Sequence, residues 1–523
     1  MSKKLKPYYK LNTRKILRNN VFLFSQIFLN IVITIFTLRI VIDSVGLEDY
    51  GIYNLVFGFV VMLSFLTAAM SFSCVRFFSY YSNKYSNKEL YKVFQSTLVI
   101  NFFIAIIFVF TLELVGISYI EKYINISADK IPNALIIFHL VVAISVLKII
   151  RTSFEASIQA RQDFHILSII ESLELILRFL FVIYLPFYQD DKIIFLAFSV
   201  AFVTLISTIS IIIFSVLKYE EITFKNFKVE RSQLTKMLSF FSWNTFGAAA
   251  GLIRDQGIAI VLNSFYGPIM NASYGISLQI NATIKKFTEN FLKTLKPIAY
   301  KYEGEGKRSL MMNMTYSMSK VGFYLALLIG LPLIIQITII LELWINEFTT
   351  ETVIFSQLLI ILILINIMSS GIQTGLQAIG EIKLYQISVG TLIITIPFLG
   401  FLFLKLNLPY YSLLLVSISI EILSTIVRII ILKRNSNFTF EDFFKKIFYP
   451  ILKVTVIITS VLLPISNLIK AYDLKSLIIN SFIMMVYMIL VFYTIGLNKN
   501  EKLFINKIIL KYAKKNRDSD VSL

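Results

Sequence analysis

The stretch "VGLEDYGIYNL" (45–55) returns in altered form as "YGPIMNASYGI" (266–276), with Gly46 opposite Gly267 and Tyr53 opposite Tyr274. A second stretch, "SIQARQDFHILSI" (157–169), aligns without a gap to "GLQAIGEIKLYQI" (375–387). It places Gln159, Ala160 and Asp163 opposite Gln377, Ala378 and Glu381. The offsets, 221 and 218 residues, agree closely enough to mark one internal repeat. Each copy contains about six apolar runs of roughly 20 residues, the length that crosses a bilayer core as a helix. Six is an even number, so the copies keep one orientation and should be related by an axis along the membrane normal.

Counted over the whole chain, about fourteen such runs are expected. The predicted fold class is all-α: a polytopic membrane protein of two six-helix lobes in a V shape, plus two C-terminal helices. The expected organisation is a basic tail over 1–20, a first lobe over 21–217, a linker over 218–235 and a second lobe over 236–432. A loop over 433–449, two transmembrane helices over 450–497 and a basic tail over 498–523 complete it.

Composition agrees with the membrane reading. Of 523 residues 57% are hydrophobic and only 15% charged, far from a soluble domain. The net charge of +19 sits in short segments between apolar runs, a pattern of membrane topology rather than of a nucleic-acid-binding face, so no nucleic-acid partner is expected. Joining the tails and every second loop collects about 35 Lys and Arg on one side against about five on the other. The rule that basic loops stay inside then places both termini in the cytoplasm, and the basic N-terminus reads as a tail rather than a signal peptide. A single cysteine, Cys74, and two histidines, His139 and His165, support no disulfide and no metal site, and no cofactor is expected.

Charges inside apolar spans are costly, and they usually face a cavity or one another. Several fall at helical spacing. Arg39 and Asp43 are i, i+4; Lys148, Arg151 and Glu155 are i, i+3, i+7; Glu171, Glu174 and Arg178 repeat that spacing; Asn281, Lys285 and Glu289 share a face with Lys286 beside it. Each stripe also has a plainer reading. Glu174–Arg178 can be a self-neutralising helix pair, Arg39–Asp43 can snorkel to the surface, and Lys285 and Lys286 can meet lipid headgroups. His139 falls on the face opposite Lys148, as a packing or interfacial residue would. Arg254 and Asp255 are neighbours in one span and point about 100° apart, so a pair between them is not expected. Glu421, with Arg428 two turns on, is a candidate for cation coupling or for structural pairing. The cations outnumber the acids named as their neighbours, so a net cationic cavity is expected, suited to an anionic amphiphile. The candidate substrate-binding residues are Arg39, Lys148, Arg151, Arg254, Lys285 and Lys286, and the candidate cation-coupling residues are Asp255, Glu421 and Asp43.

"VGLEDYGIYNLVFGFV" after the first span resembles the turn of the bacterial polysaccharide flippases, the O-antigen translocases of the Wzx type, through Gly46, Gly51, Ile52 and Tyr53. "RDQGIAIVLNSFYG" is similar to their Asp-then-apolar-then-Gly segment, through Asp255 and Gly267. Their superfamily also holds multidrug exporters and lipid II flippases. The second glycine turn lacks the acids Glu48 and Asp49 of the first. The resemblance implies an alternating-access transporter in the bacterial cytoplasmic membrane, moving an undecaprenyl-diphosphate-linked oligosaccharide of O-antigen, capsule or other exopolysaccharide. It also implies a proton or sodium ion as coupling partner, and contact with other polysaccharide-assembly proteins. A multidrug exporter or a lipid II flippase is the nearest alternative. A membrane polymerase or acyltransferase would call for a large outer loop or a histidine-centred motif, and the sequence has no nucleophile set beside a base.

Overall fold

In a computed structural model, structure is described for residues 13–502, except 82–86, 123–127, 225, 226, 228, 346, 347, 437, 467–471, 499 and 500. Most of the tail over 1–20, nearly all of the tail over 498–523 and the side chain of Glu48 lie outside the described residues. The protein is an all-helical, multi-pass membrane protein, and the described residues contain no strand.

The helices are α1 (Thr13–Tyr81), α2 (Asn87–Lys122), α3 (Ile131–Ala160), α4 (Phe164–Tyr184), α5 (Lys192–Lys218) and α6 (Arg231–Tyr266). Next come α7 (Pro268–Lys293), the short α8 (Lys296–Gly304), α9 (Arg308–Ile345), α10 (Thr350–Met368) and α11 (Ser370–Ile379). The chain continues through α12 (Ile382–Lys405), α13 (Ser412–Asn435), α14 (Phe440–Phe443), α15 (Tyr449–Ser466) and α16 (Leu474–Val491). Over the described residues each of the fourteen expected spans falls largely in helix: the first two share α1, and the one over 352–379 is divided between α10 and α11. Eleven helical stretches among the described residues are long and apolar enough to cross a membrane. The stretches that fall short include α4, with Glu171, Glu174 and Arg178, and α7, with Lys285, Lys286 and Glu289. The three charges of α4, and the Asn, Gln, Ser and Lys residues of α7, make these helices too polar for a purely apolar criterion.

The internal repeat recurs in the backbone. Gly46 breaks α1 at φ 84°, ψ 165°, and Gly267 precedes α7 at φ 79°, ψ −170°. This extended region at positive φ is essentially open to glycine alone. At the second aligned stretch Gln162 (φ 60°) and Gly380 (φ 98°), 218 residues apart, both turn left-handed between consecutive helices.

Contacts divide the chain into two compact units, one over Lys15–Ala248 and one built from Ala249 onward. The division falls inside α6, later than the linker expected at 218–235. In the N-terminal unit, Phe240 of α6 meets Phe77 edge-on at 5.5 Å, and Asn244 is within 3.5 Å of Ser73. Beyond the division, Ile258 and Leu262 of the same helix belong to a core with Tyr274, Phe355, Leu359 and Leu413.

The C-terminal unit has close helix crossings. A Cβ on Gly371 of α11 would stand 1.9 Å from the Thr315 carbonyl oxygen of α9, and the Gly371 N–H donates to Ser319 Oγ at 3.1 Å. Gly371→Ala must therefore push two backbones apart. We expect a stability loss of about 3 kcal/mol, read as a lowered midpoint in a thermal melt of the purified protein. The last two helices lie on α9 of the same unit. Gln336, at the kink four residues past Pro332, donates to Ser481 at 2.9 Å. Buried Lys320 pairs with Glu501 at 2.6 Å.

Candidate functional site

The N-terminal unit contains a partly open cavity of about 370 Å³. It is lined by Gln26, Asn30, Thr67, Ala68 and Ser71 of α1, Lys148, Arg151, Thr152 and Glu155 of α3, and Glu171, Glu174 and Leu175 of α4. Three facing helices thus bring one polar face each to a common space. The helix period accounts for this: Lys148, Arg151 and Glu155 fall on one stripe of α3, and Glu171, Glu174 and Arg178 on one stripe of α4.

Arg151 is the centre of the arrangement and is 6% exposed. Its Nε donates to Glu155 Oε1, its Nη1 to Glu174 Oε2 at 2.9 Å and to Ser207 Oγ of α5 at 2.7 Å, and its Nη2 reaches Glu171 Oε1 at 3.5 Å. Glu174 is held further by Ser207 Oγ at 2.6 Å and by Arg178, which also donates to Thr204 Oγ1 at 2.9 Å. Gln26 Nε2 donates to Glu171 Oε2 at 2.5 Å. A buried guanidinium needs this many acceptors, because removal from water is costly unless its donors are used. Lys148 is exposed on the cavity, and none of the described carboxylates forms an ion pair with it.

The structure thus brings together Lys148 and Arg151 of the expected substrate-binding residues. The others stand elsewhere. Arg39 and Asp43 face each other at 3.9 Å on an exposed stretch of α1. Lys285 and Lys286 are exposed on α7, with Lys285 4.0 Å from Glu289. Glu421 is buried in the C-terminal unit, where it accepts from Arg428 at 2.6 Å and from Asn366 at 2.9 Å, while Arg428 also donates to Ser369 at 2.9 Å. Tyr385 lies beside that guanidinium. Outside the spans, Tyr219 donates to Asp163 at 2.9 Å, and burial together with that carboxylate holds its hydroxyl above the usual phenol range.

One expectation is corrected. Arg254 and Asp255 do pair, Nε to Oδ1 at 2.8 Å, because the arginine side chain is long enough to turn back across the angle between neighbouring helix positions. Within the N-terminal cavity, Lys148 and Arg151 meet three carboxylates. Glu155 counted among the neighbouring acids in the sequence, whereas Glu171 and Glu174 did not. Their spacing on α4 was visible, but only packing shows that this stripe faces Arg151. His139, expected to pack or lie at an interface, has its Nδ1 3.1 Å from Glu113 on α2. Arg76, absent from the sequence reading, is buried against the rings of Phe77, Tyr80 and Phe240 at 4.8, 4.9 and 5.1 Å.

Among solved structures, a point mutant of a MATE transporter superimposes with a TM-score of 0.71 at 11% identity, over 83% of this chain and 98% of its own. The protein has the MATE transporter fold. A multidrug resistance MATE family transporter of the MOP superfamily, in an outward-facing conformation, gives a TM-score of 0.69 at 12% identity, over 83% of this chain and all of its own. A MOP superfamily transporter from Pyrococcus furiosus, described as having a binding pocket of reverse polarity that suggests a different function, gives 0.66 at 11% identity over 83% and 98%. No family model matches the sequence, and no curated protein matches it. At these identities the likeness is one of fold alone.

Proposed function

We propose that the protein is an ion-coupled flippase that moves an undecaprenyl-diphosphate-linked oligosaccharide across the bacterial cytoplasmic membrane, with both termini on the cytoplasmic side. The coupling site is the cavity of Glu155, Glu171 and Glu174. The observation that carries the reading is this charged, partly open cavity inside one unit of a MATE-type transporter. Ionisable groups at membrane depth mark ion or substrate pathways. The cargo assignment rests on the flippase-like sequence at 45–60 and 254–267.

Glu171 is the most exposed of the three carboxylates, at 34%, and the most loosely bound to Arg151. A proton reaching its Oε1 removes the negative charge facing the guanidinium, which loosens α4 from α3 and lets their crossing change. A carboxylate takes up a proton in place without further ligands, which is the reason a proton rather than sodium is proposed. Asp255, Glu421 and Asp43 are then structural partners of Arg254, Arg428 and Arg39.

A second reading, export of organic cations, is favoured by the carboxylate majority in the cavity. Analysis of lipid-linked sugars in a deletion strain separates the two. The flippase reading expects precursors stranded on the cytoplasmic face. It also expects a Glu171→Gln allele to restore less than a tenth of the surface polysaccharide. An unchanged sugar profile together with raised sensitivity to cationic drugs would select the exporter.

A further inference from the structure

Lys148 is unlike the other cations of the N-terminal cluster. Arg151 is bound by three carboxylates and a hydroxyl, and Arg178 by Glu174 and Thr204. Lys148 lies one helical turn before Arg151, lines the same cavity and has no ion pair with any described residue. Charge balance gives it a meaning. The lining alone has two cations for three carboxylates, but Arg178, not itself in the lining, pairs with Glu174; Lys148, Arg151 and Arg178 then match Glu155, Glu171 and Glu174 one for one, so the cluster is neutral only while the lysine ammonium stays in the cavity.

The repeat shows that the fold does not need that charge. At an offset of 218, Lys148, Arg151 and Glu155 correspond to Asn366, Ser369 and Gln373. In the second copy the neutral Asn366 donates to Glu421 at 2.9 Å, and Gln373 donates to Ser369 at 3.1 Å. The same helix positions there make a half-buried hydrogen-bonded network without a free ammonium.

We propose that Lys148 is a tethered counter-ion that keeps cations larger than a proton out of the cavity, and so determines the selectivity of the coupling site. This rests on the cavity being the coupling site. A proton needs no room and neutralises a carboxylate in place. A sodium or quaternary ammonium ion would add a charge to a space the lysine already balances. No element packed around Glu171 offers another unpaired cation among its described cavity residues. Besides Lys148, α3 presents Arg151 and Glu155 and α4 adds Glu174 and Arg178, all ion-paired. The lining residues of α1 are uncharged, as are Ser207 and Thr204 of α5.

The test is equilibrium binding of radiolabelled sodium and tetraethylammonium to the purified full-length protein at fixed pH. Lys148→Asn, which imports the residue of the second copy, is expected to bind at least one of them about tenfold more tightly than wild type. That is the effect of one unit charge about one helical turn away in a partly hydrated cavity. Lys148→Arg is expected to exclude both ions as wild type does, and adding Glu171→Gln to Lys148→Asn should abolish the gain. Proton uptake on an acid step, measured in the same preparations, separates the two claims. Uptake that is lost in Glu171→Gln, with no cation gain in Lys148→Asn, overturns the role of Lys148 and leaves the coupling site standing. Absence of Glu171-dependent uptake in wild type overturns both.

Discussion

Arg151→Met is expected to lower the stability of the protein by about 3–5 kcal/mol, the usual cost of stripping one partner from a buried charge cluster. The guanidinium supplies donors to Glu155, Glu174 and Ser207 and faces Glu171. Methionine fills similar volume but leaves Glu155 and Glu174 without their central cation. Arg178 still holds one oxygen of Glu174, so the loss stops short of three free carboxylates. Thermal melts of the detergent-purified protein measure the effect. Arg151→Lys should recover only part of it, because an ammonium lacks the planar fork that addresses several acceptors at once. The double variant Arg151→Met with Glu174→Met should regain stability relative to the single change, since both charges are then gone. It should not regain transport, because the carboxylates of the proposed coupling site have lost their fixed counter-charge.

Arg428→Met is the second large effect, again about 3–5 kcal/mol. Here the cluster is smaller and drier: Arg428 is 2% and Glu421 3% exposed. The guanidinium binds Glu421 and Ser369, and removing it leaves Glu421 to the weaker, neutral donor Asn366. The corresponding double variant, Arg428→Met with Glu421→Met, should return close to wild-type stability and, unlike the Arg151 double, should keep transport. The contrast between the two doubles distinguishes an ion pair that locks helices from one that takes part in coupling. A dead but stable Arg428–Glu421 double would move the coupling site to the C-terminal unit.

The fold was legible because membrane crossing demands long apolar runs and because the two glycine turns repeat. Gly46 and Gly267 share a backbone region that other residues avoid, and so mark corresponding places in the two copies. The site was legible only in part. The spacing of Lys148 and Arg151 put both on one stripe, and both line the cavity. Helical spacing does not say which stripe meets which, so Glu171, Glu174 and Arg178 were seen as one stripe, with Glu174 paired to Arg178, and not as supplying the acceptors of Arg151. Side-chain reach was the other blind spot: Arg254 turns back onto Asp255 where the angle between their positions suggested separation. The break between units inside α6 was hidden as well, because one continuous helix gives no compositional signal where its packing partners change.

The central claim is that a proton gradient acting on the Glu155–Glu171–Glu174 cavity drives the movement of a lipid-linked oligosaccharide. Its most direct test is reconstitution of the protein in liposomes carrying a fluorescent undecaprenyl-diphosphate oligosaccharide, with leaflet exchange followed by an external quencher. The account predicts exchange that speeds up when a pH gradient is imposed and falls to the protein-free rate in Glu171→Gln. Exchange that is indifferent to the gradient, or equally fast in Glu171→Gln, would contradict it.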